Sequence, residues 1–153
     1  MYTALLSLHS VLRWLVLLAG LAVVLRSAMG LSGQRRWGTT EERGVKLFVI
    51  TLDVQTVIGL LLYAVFSPFV KLAMSDIAGA MRDGDLRFWL VEHLFGMVIA
   101  VTLAHVGRVK LRKATDDGTR YRTAVTFMGI ALAVILLSIP WPGMPSARPL
   151  FPF

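Results

Sequence analysis

The sequence predicts an all-α membrane protein: a four-transmembrane-helix, up-down bundle with a short amphipathic helix on its outer surface between helices 2 and 3. Three observations predict it. Hydrophobic residues make up 56% of the chain and charged residues only 16%, against about 45–50% and about 25% in an average soluble domain. The apolar residues are gathered into four blocks, each close to the ~20 residues that cross ~30 Å of hydrocarbon. Basic residues flank those blocks with a strong bias to one side.

The blocks run from about 4 to 25, 46 to 66, 88 to 107 and 121 to 139, and together they form one domain over 1–153. Each is expected to be a helix, because hydrocarbon offers no water to satisfy backbone groups. The first block lacks a basic leader and is longer than the 7–15 apolar residues of a cleavable signal, so it is expected to stay as the first span. Pro140 and Pro142 stop the fourth helix. Ser67 and Pro68 read as an N-cap and first helical position. Val70, Ala73, Met74, Ile77 and Met81 follow at helical spacing, with Gly84 as the expected stop. This segment either caps the bundle or acts as a lid over a site. The Pro-rich tail from Trp141 to Phe153 is expected to be irregular, bound to a partner subunit or laid on the bundle.

Eleven Lys and Arg residues lie in the 26–46 and 108–122 connections, and four (Lys71, Arg82, Arg87, Arg148) lie on the opposite side. The positive-inside rule then predicts cytoplasmic basic loops and periplasmic N- and C-termini in a bacterial inner membrane. The net charge of +7 is matched by anionic lipid headgroups rather than by nucleic acid. The absence of cysteine excludes disulfides, iron–sulfur clusters and covalent haem attachment. No hydrolase or phosphate-loop motif is present.

Ionisable residues inside a membrane are costly and mark sites. The candidates are His9 and Arg13 on the first helix, Asp53 with Gln55 on the second, and Glu92, His93 and His105 on the third. At 1.5 Å per residue, His9 and His93 both lie roughly 7 Å outward of their helix midpoints, and His105 roughly 11 Å inward. Two imidazoles at one depth on different helices suit axial ligation of a haem iron, a hydrogen-bonded pair, or a quinone or small-ligand site. Gly96, Ala100 and Ala104 form a small-residue stripe that admits either a flat ring or a neighbouring helix. Arg13 shares a face with His9 and is expected to pair with Asp53 or Glu92, each roughly 6 Å away in depth. A proton relay, a quinone carbonyl contact or a haem propionate contact are its other readings. Arg82 or Arg87 are the better-placed propionate partners by depth.

The runs Tyr2–Trp14, Leu86–His93 and His105–Arg108 resemble a family of small bacterial four-helix inner-membrane proteins often labelled cytochrome b-like. The resemblance spans nearly the whole chain. More distantly the pattern is similar to b561-type four-helix cytochromes, which carry two haems on four histidines. It implies a b-type haem and electron transport. With three histidines, this chain has ligands for one bis-histidine haem. Two further expectations stand beside that one: a cofactor-free accessory subunit of a larger membrane complex, and a small transporter using Arg13, Asp53 and Glu92.

Overall fold

A computed structural model of the chain describes residues 1–150, so the last three residues of the tail lie outside the described residues. The described chain is all-helical. Four stretches are long and apolar enough to cross a membrane: Tyr2–Ser32, Thr39–Phe66, Gly84–Lys113 and Asp117–Leu137. We number the helices α1 (Tyr2–Ser32), α2 (Thr39–Leu61), α3 (Pro68–Ser75), α4 (Ile77–Ala80), α5 (Gly84–Arg87), α6 (His93–Lys113) and α7 (Asp117–Leu137). Leu18, Phe95 and Leu137 are among many large apolar residues left exposed on the outside of these helices. Lipid tails rather than water are the solvent such a surface needs.

α1 lies between α2 and α7, and α7 packs along α6. α2 touches α6 less extensively, closing the ring. α1 and α6 therefore sit across the bundle from each other. The core is made by Val16, Val23, Phe48, Leu52, Ala100, Ala104, Met128 and Ile135, all at most 5% exposed. The stripe of Gly96, Ala100, Ala104 and Gly107 is buried in the contact with α7. A Cβ on Gly96 would run into the Ser138 hydroxyl, and one on Gly107 into Phe127. The small residues thus allow close helix packing, and they do not open room for a ring.

Helix ends differ from the expected spans where charge does not stop a helix. α1 continues past Leu25 to Ser32, because Arg26 leaves the apolar stretch by pairing with Glu41 at 2.8 Å. α2 is capped by Glu41, whose side chain accepts the Gly38 N–H at 3.1 Å. Asp116 caps α7 by accepting the Thr119 N–H, and that bond holds its carboxyl below the usual range.

Two π-helical turns interrupt the long stretches, Leu62–Phe66 after α2 and Phe88–Glu92 before α6. Such turns are rare and cluster at functional sites. They face one another: the Tyr63 hydroxyl donates to the Leu90 carbonyl at 3.0 Å.

The connection between α2 and α6 begins as expected. Ser67 accepts the Val70 N–H at 3.3 Å with Pro68 at the first helical position. It does not run on to Gly84. α3 ends at Asp76, which leaves helical geometry to cap α4 by accepting the Gly79 N–H at 2.9 Å. An aspartate side chain competes for backbone donors and so favours a cap over a helix interior. Gly84 starts α5 rather than ending a helix, because Asp83 accepts the N–H groups of Asp85 and Leu86. Val70 and Ala73 are buried, while Met74, Ile77 and Met81 stand exposed.

Candidate functional site

At the end of the bundle where α3 and the tail lie, all four long stretches line one cavity of about 120 Å³. One water needs only roughly 10–15 Å³, so the space suits a larger group. His9, Ser10 and Arg13 line it from α1, Gln55 and Gly59 from α2, Tyr63 from the first π-turn, and His93 and Met97 from α6. Phe69 and Val70 on α3, Trp89 beside His93, and Arg148 from the tail complete its outer wall.

The two histidines meet there. Their ring centroids are 6.5 Å apart with ring planes at 70°. A metal–imidazole bond of about 2 Å, with the nitrogen about 1 Å from its ring centre, places two axial imidazoles about 6 Å apart. The rings are too distant to hydrogen-bond to each other. Axial rings rotate freely about the bond axis, so the interplanar angle suits the same arrangement.

His93 is oriented for such a role. Its Nδ1 lies 2.8 Å from the Ser138 carbonyl. A carbonyl only accepts, so Nδ1 carries the proton and Nε2 holds the free lone pair. Phe88 and Trp89 flank the ring, each with its centroid 5.8 Å away. His9 is set against Gly59, where a Cβ would come within 3.1 Å of its Cε1. Its backbone carbonyl accepts the Gln55 amide at 2.8 Å.

Among the described residues, four buried side-chain polar atoms lack a hydrogen-bond partner: His9 Nδ1, Arg13 Nε, Gln55 Oε1 and Arg148 Nη2. All four belong to residues lining this cavity. Buried polar atoms in native proteins are nearly always paired, so a cluster of orphans marks a place where another polar group belongs. The residues fit a bis-histidine haem by the separation of the two rings. Among the described residues no group of three or more His, Asp or Glu side chains could hold a bare metal ion.

The expected pairing of Arg13 with Asp53 or Glu92 is not what the structure holds. Arg13 Nη2 donates to the Leu150 carbonyl at 2.6 Å, and the Trp14 indole donates to the same oxygen at 3.3 Å. Asp53 pairs with His105 Nε2 at 2.8 Å, both half-exposed on the outside of the bundle. Glu92 pairs with Arg87 at 2.6 Å, again exposed. Geometry explains the failure. Gln55 faces α1, and Asp53, two residues away, points about 200° round the helix from it. Glu92 diverges by about 100° from His93. The predicted site residues therefore separate into His9, Arg13, Gln55 and His93 at the cavity, and Asp53, Glu92 and His105 away from it.

Arg82 and Arg87 do not line the cavity; Arg148 does. Its guanidinium lies 4.1 Å from the Phe69 ring centre and 5.1 Å from that of Trp89. The tail that carries it turns at Gly143, whose φ of +96° suits glycine, and buries Ser146 on the bundle. Gly59, Tyr63 and Arg148 escaped the sequence reading. Only Gly59 left a usable signal, a glycine interrupting an apolar helix.

Fold and site together define a multi-pass helical membrane protein with a largely apolar cavity, carrying two histidines and two arginines, at one end of its bundle. No protein-family model, curated protein or solved structure matches the chain.

Proposed function

We propose that the chain is a b-type, cytochrome-like electron-transfer protein of the bacterial inner membrane, holding one haem between His9 and His93. The observation that carries this reading is the 6.5 Å separation of the two imidazoles across one shared cavity. When bound, the haem supplies a reversible one-electron couple whose potential is set by its ligands and burial. The chain's part is to fix the ligands and exclude water. Ser138 holds the His93 tautomer, Gly59 makes space for the His9 ring, and Phe88 and Trp89 wall the site. Electrons would pass between a membrane quinone and an outer partner.

The up-down arrangement of the spans and the orientation with both termini periplasmic belong to this reading. They rest on the basic bias of the 26–46 and 108–122 segments. α3 then lies at the outer surface over the cavity as part of its wall. Reporter fusions at Gly33 and Gly118 are expected to report cytoplasm; periplasmic activity from either would invert the orientation.

The deciding experiment is the absorption spectrum of the purified, dithionite-reduced protein. A reduced b-type α-band is the expected result. A featureless spectrum from protein expressed with haem available would sink the reading. One observation favours a second one, the cofactor-free accessory subunit: the half-exposed Asp53–His105 pair on the bundle's outer face. Polar pairs at membrane depth usually face protein, so a partner helix would find hydrogen-bonding groups there.

A further inference from the structure

Among the described residues the cavity is lined by two cations and no anion: Arg13 and Arg148 line it, and no Asp or Glu does. Among the described residues the ion pairs are Arg26–Glu41, Arg87–Glu92 and His105–Asp53, so neither cavity arginine has a carboxylate. Each also keeps one buried nitrogen, Arg13 Nε and Arg148 Nη2, without a hydrogen-bond partner. An uncompensated guanidinium at membrane depth is costly, and two in one cavity also repel.

The C-terminal tail meets both guanidiniums. Arg13 donates to the carbonyl of Leu150, only two residues beyond Arg148. Depth along α1 alone sets Arg13 inward of His9, but its side chain reaches the tail. Arg148 is itself a tail residue and stacks over Phe69 and Trp89.

We propose that Arg13 and Arg148 bind the two carboxylates of the group seated between His9 and His93, making this a site for a dianionic metallomacrocycle and the C-terminal tail its clasp. The inference rests on the haem reading, and the match is one of count. Haem b offers one iron for two imidazoles, and two propionates for two guanidiniums that the tail brings to one cavity. Arginine suits the task because its planar fork binds a carboxylate through two parallel hydrogen bonds. Phe69 and Trp89 pre-orient the Arg148 fork by stacking, so less freedom is lost on binding.

The test compares haem b with its dimethyl ester, which keeps the iron and the ring but has no free carboxylate. Full-length protein made without haem is titrated with each in detergent, and the bis-imidazole spectrum reads occupancy. The parent is expected to bind haem b at least about tenfold more tightly than the ester, the worth of one charge-assisted bond. Arg148→Gln, in the irregular tail, and Arg13→Gln should each shrink that preference, and the double variant should abolish it. Equal affinity of the parent for both compounds would overturn the clasp while leaving the iron ligands standing. A preference that survives in the double variant would also overturn it, placing the carboxylates elsewhere. A parent that gives no bis-imidazole spectrum with either compound would bring down the clasp and the haem reading together.

Discussion

His93→Ala is expected to abolish the reduced b-type spectrum, and His9→Ala to do the same, while His105→Ala leaves it intact. Changes in the groups that merely orient a metal's ligands cost roughly 10–100-fold in affinity, so loss of a ligand itself should exceed that range. The two histidines are not held alike. The Ser138 carbonyl fixes the His93 tautomer at 2.8 Å, whereas His9 Nδ1 has no such partner. His93 should therefore be the tighter anchor. His105 belongs to another set, paired with Asp53 outside the cavity. Helicity and the elution position in detergent check that each variant folds. A spectrum that survives in a folded His93→Ala protein, or vanishes in His105→Ala, would remove the assignment of the ligands.

What could be read from the sequence divides by whether depth or azimuth was needed. Depth follows from counting residues at a fixed rise, and a bilayer forces every span to be a helix. The four long helices and the meeting of His9 with His93 were legible for that reason. Azimuth depends on which face each helix turns to its neighbours. Arg13, Asp53 and Glu92 lie at compatible depths, yet Asp53 turns to α6 and Glu92 turns outward to Arg87. The π-helical turns at Leu62–Phe66 and Phe88–Glu92 shift that azimuth further, and no composition signal announces them. Arg148 was out of reach for another reason. A Pro-rich segment has no periodicity from which to infer a face, and only the packing of the tail against Phe69 and Trp89 brings its charge to the cavity. Helix ends shifted where charge was read as a terminus, as at Arg26, which is neutralised by Glu41 inside a continuing helix.

Gly96→Val should couple stability to the histidine-lined cavity. A Cβ at Gly96 would overlap the Ser138 hydroxyl and lie 3.0 Å from the Ser138 Cβ. The hydroxyl can swing away about χ1, but the Ser138 Cβ is fixed to the backbone, so α6 and the end of α7 must shift to admit it. Overpacking of this kind costs about 1–3 kcal/mol, and valine's branch adds to it through its restricted rotamer in a helix. The obstacle is also functional, because Ser138 supplies the carbonyl that orients His93, one helical turn before Gly96. Moving that carbonyl frees the imidazole to rotate, so haem affinity should fall roughly tenfold even in protein that remains folded. Gly129→Ala on α7 is the control, since a Cβ there meets nothing within 4 Å. It should be neutral or gain up to about 1 kcal/mol from reduced backbone freedom in the unfolded chain. Denaturant unfolding in detergent, followed by titration with haem, measures both effects. A Gly96→Val protein with the parent's unfolding midpoint would show that α6 and α7 do not pack as closely as described. One that is destabilised but binds haem as the parent does would show that the Ser138 carbonyl does not orient His93.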